Sequence, residues 1–192
     1  MYKKIFEKVK KYMLSPTKTF KAEKKTKLED AFKYGLIGLA IYSLLNGLIF
    51  MAMPSATLPL AGVAAFIAIF VFLVIFGFIA MLIGSLWLHL WAYIFGARKG
   101  LKQTIKSIFY ANTPNYYLGW IPFINILSGI WSLVLQVIGL VHLQKLSTMR
   151  AIGAVFIAII IPLIILVAIV AMFFIAGVST LEATPTGMFG VF

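Results

Sequence analysis

Three stretches of this chain contain no Asp, Glu, Lys or Arg: Tyr34–Ala97, Ser107–Gln144 and Ala151–Leu181. A helix needs about 20 apolar residues to cross about 30 Å of hydrocarbon, and each stretch exceeds that. With 62% of the chain hydrophobic, the apolar surface is too large for the core of a small soluble domain. The fold class that follows is an all-α polytopic membrane protein. A transmembrane β-barrel would alternate apolar and polar positions residue by residue, and the run AAFIAIFVFLVIFGFIAML has no alternation. The chain contains no cysteine, which excludes disulfides and thiolate metal sites. The first apolar run starts only after a long polar segment and lacks a small-residue cleavage exit, so it reads as an anchor and not as a cleaved signal.

The 17 basic residues are placed unevenly. One group lies before Tyr34; a second is Arg98, Lys99, Lys102 and Lys106; a third is Lys145 and Arg150. Lys and Arg near membrane ends are retained on the cytoplasmic side, so all three groups are expected there. Between each pair of groups the chain must then cross an even number of times. The turn MPSATLP, with Pro54 and Pro59, divides the first run into spans at about 31–53 and 58–96. Splitting the second of these would put Arg98 to Lys106 outside, against the charge rule. Its excess length calls for tilt, a bend near Gly77 or Gly84, or an interfacial end at LWLHLWAYIF, since Trp and Tyr concentrate at headgroup level.

The same parity makes Ser107–Gln144 go out and return, with spans at about 105–121 and 124–146 around the turn WIPFIN. Pro114 lacks an N–H and clashes with the preceding turn, so a kinked third span with a freed carbonyl near Tyr110 is expected. Asn112, Thr113 and Asn115 sit where they can satisfy such groups. Irregular backbone at membrane depth is tolerated only when shielded from lipid, so this span is expected to be buried. The last run crosses once, at about 151–177, with Pro162 inside it. Five transmembrane helices result (28–177), with a cytoplasmic N-terminus, an external C-terminus and an external tail at 178–192.

The basic segment 1–27 opens with MYKKIFEKVKKYM. Its apolar residues Tyr2, Ile5, Phe6, Val9, Tyr12 and Met13 fall on one helical face, and Lys3, Lys4, Lys8, Lys10 and Lys11 occupy the remainder. This pattern predicts an amphipathic interfacial helix whose lysines contact anionic lipid; the alternative is a docking site for an acidic partner. Glu29 and Asp30 fall near the start of the first span, where the helix dipole favours acids. Small-residue pairs at Ser43/Gly47, Ala61/Ala65, Ala80/Gly84 and Ala154/Ala158 permit close helix approach, although such pairs are frequent in apolar segments.

Within the three uncharged runs the histidines are His89 and His142, both near the expected cytoplasmic ends. Ion-coupled carriers place buried acids or bases along their path, so a proton- or cation-driven carrier is disfavoured. Two histidines without a carboxylate nearby make a poor metal site. No hydrolase, metalloprotease or phosphate-loop motif is present. Ser85, Ser128 and Ser132 read as helical serines bonded to preceding carbonyls. Asn46 and Gln136 read as interhelical hydrogen-bond partners. The sequence assigns no catalytic residue, no metal ligand and no cofactor.

Between Trp87 and Ala151 the chain carries a basic, glycine-bearing loop GARKGLKQTIKS, then YANTP, then WSLVLQVIGL running into HLQKLSTMRA, and MLSPTKTF precedes the first span. In these segments it resembles the YIP (Ypt/Rab-interacting protein) domain family, in its prokaryotic integral membrane branch. The resemblance implies five spans with a cytoplasmic N-terminus. It places the family's polar-proline motif on Tyr110, Ala111, Asn112, Thr113 and Pro114, and its glycine-leucine motif on Gly139 and Leu140. The eukaryotic members act in Golgi and endoplasmic-reticulum trafficking and bind prenylated Rab GTPases. Their long acidic, Pro-rich N-terminal region is missing here, so Rab binding does not carry over.

Two functions are expected from these readings. The first is a non-enzymatic scaffold or adaptor in the prokaryotic cytoplasmic membrane, partnered by anionic lipid headgroups and by its own copies or another membrane protein, and not by nucleic acid. The second is a carrier or channel for a neutral or lipidic molecule, with a cavity beside Pro114 and a polar site made by Tyr110, Asn112, Thr113, Asn115, Tyr116 and Gln136.

Overall fold

A computed structural model describes residues 2–52 and 62–182, and among them there is no strand. The chain divides into two units, Met1–Val155 and Phe156–Phe192. The expected turn at MPSATLP and the end of the tail beyond Glu182 lie outside the described residues.

An amphipathic α1 (Tyr2–Leu14) turns at Ser15 into the short α2 (Pro16–Ala22), and a 3-10 turn at Glu23–Lys25 leads into α3 (Leu28–Ala52). Glu29 and Asp30 occupy the first turn of α3, and Asp30 accepts a hydrogen bond from the Lys27 amide at 3.1 Å. Next come α4 (Val63–Ile94), α5 (Leu101–Ala111), α6 (Thr113–Leu118), α7 (Ile124–Gly139) with a π-helical turn at Leu140–Gln144, and α8 (Thr148–Glu182) with Pro162 inside it.

Among the described residues, four helical stretches are long and apolar enough to cross a membrane: Leu28–Met51, Val63–Ile94, Ile124–Gln144 and Thr148–Ala176. The second apolar run after the first turn is one helix of 32 residues, about 48 Å long at 1.5 Å per residue. The expected third span, 105–121, differs from its reading: it is two short helices that begin at Leu101 and meet at Asn112. The physical reason is Pro114, which sits in the first turn of a new helix, where its missing N–H costs nothing, and not in the interior of an old one.

In the unit Met1–Val155 a set of uncharged polar side chains is buried and many large apolar ones face outward. Thr104, Ser107, Thr113, Ser128, Ser132 and Gln144 are buried, while Ile67, Phe72, Phe76, Ile83 and Ile94 of α4 and Ile126, Leu127 and Ile130 of α7 are exposed. Such an arrangement suits a hydrocarbon solvent, in which apolar side chains gain little by leaving the surface and polar ones must find partners inside. Small residues set the contacts. A Cβ at Gly47 would stand 2.8 Å from the Phe66 ring, and one at Gly77 would stand 3.0 Å from Leu39. α3 and α4 therefore approach closely there, with Ser43, one turn from Gly47, fully buried. Gly96, at φ 101°, closes the end of α4, a conformation that a side chain disfavours.

The expected WIPFIN turn is seen between Leu118 and Ile124. At its tip Phe123 has φ 65°, and the Ile124 amide donates back to the Pro122 carbonyl at 2.8 Å, a strained γ-type turn.

Candidate functional site

The meeting of α5 and α6 is where most of the expected polar residues converge. Pro114 cannot donate to the carbonyl of Tyr110 four residues earlier; the Thr113 hydroxyl donates to it instead, at 2.6 Å. With its one proton so used, Thr113 accepts from the Tyr34 hydroxyl of α3 at 2.9 Å. Asn112 Nδ2 donates to the Ile108 carbonyl at 3.0 Å and Asn115 Nδ2 to Asn112 Oδ1 at 3.1 Å. Ser128 of α7 reaches Asn115 Oδ1 at 2.9 Å. The Tyr116 hydroxyl donates toward the Phe109 carbonyl at 3.1 Å and lies 3.2 Å from Met81 Sδ. Thr113, Pro114, Tyr110 and Tyr116 are buried. The expectations of a freed Tyr110 carbonyl and a buried break are met, and these polar groups are turned on one another.

Gln136 stands apart from this group. It is half-buried, and its backbone carbonyl accepts from Ser107 at 3.4 Å. Gly139 has a packing role: a Cβ there would overlap the Ser107 hydroxyl and stand 3.1 Å from the Phe20 ring, so α7 passes α5 and α2 only because no side chain intervenes. Asn46 bonds within its own helix, Nδ2 to the Tyr42 carbonyl at 2.9 Å.

Below the break lies a cluster of tyrosines and charges that sequence reasoning missed. The Tyr12 ring stacks on Tyr110 at 5.3 Å, and Tyr34 lies 5.9 Å from Tyr12 and 5.4 Å from Tyr110. The Lys8 ammonium sits 4.3 Å from the Tyr110 ring centre and 5.3 Å from that of Tyr34, distances at which the ring quadrupole attracts a cation. It pairs with Glu23 at 2.8 Å, and the Glu23 side chain is 8% exposed. Thr26 donates to the other Glu23 oxygen at 2.9 Å. Lys106, 2% exposed, donates to the Thr26 carbonyl at 2.9 Å and faces the Lys24 carbonyl at 3.4 Å. Glu23 and Asp30 both lie within electrostatic reach of this ammonium, as a buried cation requires. Burial first, and the nearby Glu23 carboxylate second, push the Tyr12 phenol well above its ordinary range, so it stays neutral.

Two placements differ from the sequence reading. Lys8, grouped with the lipid-facing lysines, is turned inward because Glu23 and two ring faces await it; Lys10 and Lys11 are exposed, and the side chains of Lys3 and Lys4 lie outside the described residues. Lys106, grouped with the cytoplasmic loop, is inside the bundle. Within the apolar stripe of α1, Tyr12 is fully buried against protein while Phe6 is exposed.

A second polar knot joins the basic loops. Gln144, 2% exposed, accepts from the Lys99 amide at 3.0 Å and donates to the Gly100 carbonyl and the Thr104 hydroxyl, each at 2.8 Å. Thr104 also meets His89 Nδ1 at 2.8 Å. His89 is thus tied to α5. Among the described residues no group of three His, Cys, Asp or Glu is placed to hold a metal.

Glu23 and Gln144 had faint signals. Glu23 is an acid amid the lysines of the N-terminal segment, and Gln144 is the polar residue that ends the second apolar run. Nothing in the sequence sets Tyr12 or Tyr34 apart from other tyrosines. Chemically the site is a set of neutral phenols, satisfied amides and paired charges that lock α1, α3, α5, α6 and α7 together.

Residues 10–181 match the Yip1 domain. No curated protein and no solved structure shows significant similarity to the chain.

Proposed function

The chain belongs to the Yip1 domain family, and from that premise we propose that this integral membrane protein is a non-enzymatic scaffold or adaptor. It binds copies of itself or another membrane protein, and it organises the bilayer around it. The observation that carries this reading is the direction of its side chains. At the broken helix the Thr113, Asn112, Asn115 and Tyr116 side chains bond to groups of the protein itself, whereas α4 presents large apolar residues outward from Val63 to Ile94. What the protein offers its surroundings is shape and apolar surface, edged by basic loops.

In this reading α5 and α6 together make the third of five spans. The N-terminus is cytoplasmic, the C-terminus is external, and the membrane is the cytoplasmic membrane of a prokaryotic cell. The carrier reading needs a path at the broken helix, and there Pro114 and Thr113 are fully buried and Tyr116 nearly so. That burial at the break itself favours the scaffold.

The test is reconstitution of the full chain in nanodiscs large enough for several copies, with binding to vesicles scored in parallel. Dimers or larger assemblies, together with preference for anionic over neutral vesicles, are the expected result. A strictly monomeric chain with no such preference would end the proposal.

A further inference from the structure

Next to the tyrosine cluster, α1 leaves a cleft of about 560 Å³ between itself and the long helices. Ile5, Phe6 and Val9 of α1 face Ile41 and Leu44 of α3 and Phe70 of α4 across it. None of its lining residues is charged, and Tyr117, from the turn after Pro114, closes one side. The volume lies within the about 300–1,000 Å³ typical of small-molecule sites.

Three observations determine the occupant. First, Ile41, Leu44 and Phe70 belong to helices long and apolar enough to cross the membrane, so the cleft is bordered by hydrocarbon. Water gains little in such a space, because apart from the Tyr117 hydroxyl its lining side chains are apolar. Second, α1 is fastened through Tyr12, buried against Phe20 and Tyr110, and through Lys8, held by Glu23, while Phe6 is 70% exposed. Such a helix can admit a long thin ligand beneath it. Third, α1 and α2 carry cations with no such commitment to the interior: Lys10, Lys11, Lys18 and Lys21 are exposed.

We propose that the cleft holds one acyl chain of an anionic phospholipid, clasped between α1 and α3, with its headgroup among the exposed lysines of α1 and α2. The clasp converts the amphipathic helix from a general surface contact into a specific lipid site. This inference rests on the bilayer-binding part of the scaffold reading but not on self-association.

The test is native mass spectrometry of the full chain released from nanodiscs of phosphatidylglycerol and phosphatidylcholine with identical chains. The expected spectrum shows one phosphatidylglycerol retained. Ala40→Phe, which fills the cleft from α3, should abolish retention, and Phe6→Ala should weaken it. Phe6→Ala serves as the check if Ala40→Phe fails to fold, because so exposed a residue is not needed for packing. Outward-facing Ile83→Phe should leave retention unchanged. Equal retention of both lipids would overturn the anionic assignment, and retention by both cleft variants at the wild-type level would overturn the site. Oligomeric state is read from the same spectra, so a monomer that keeps its lipid counts against the scaffold alone, and an oligomer without lipid counts against the cleft alone.

Discussion

At the scale of single residues, Glu23 holds together groups that are far apart in the chain. Its carboxylate meets Lys8 and Thr26 directly and offsets the Lys106 charge, so Glu23→Gln should leave uncompensated positive charge in the interior. Breaking a fully buried pair costs about 3–5 kcal/mol, and the 26% exposure of the Lys8 side chain lets that partner escape to solvent and lowers the loss. The expected outcome is a clear drop in the thermal midpoint of the purified chain, partly restored by adding Lys8→Met. An additive double mutant would argue against the pairing. Gly139, by contrast, was legible in the sequence as part of a motif, but its physical reason was not. Only the crossing of α7 over Ser107 and Phe20 explains it.

Among elements, the broken third helix shows most directly how local chemistry and tertiary context divide the work. Thr113 satisfies the Tyr110 carbonyl and the Tyr34 hydroxyl together, and Thr113→Val would leave both buried without it. A buried polar group that loses its partner costs about 1–3 kcal/mol. Thr113→Val is therefore expected to lower the midpoint markedly, and Pro114→Ala much less, because the alanine N–H would supply a donor to the same carbonyl. Equal losses for the two variants would mean that proline, and not threonine, maintains the break. The need for a break and for nearby hydrogen-bonding side chains could be read from YANTPN, since proline's lack of an N–H is a local fact. That the break would split the span into separate helices could not, because it depends on the neighbours that receive the loose groups: Tyr34, Ser128 and Met81.

For the whole molecule, the proposed five-span topology predicts a labelling pattern. In this cysteine-free chain, single cysteines at Ser55, Lys99, Ser147 and Thr184 can be probed in intact cells with a membrane-impermeant thiol reagent. Labelling at Ser55 and Thr184 alone is expected. Labelling at Lys99 would place the second basic cluster outside and remove the five-span reading. The sequence by itself determined the solvent of this protein: long uncharged runs cannot be hidden in a core of this size, and that argument needs no partner residue. It also marked the helix break at Pro114, which acts through its own backbone. Only the tertiary structure decided which polar groups face inward. The inward turn of Lys8, the burial of Lys106 and the three bonds of Gln144 depend on residues tens of positions away. A charge is drawn from the surface only when a carboxylate, a ring face or a carbonyl has already been brought to meet it.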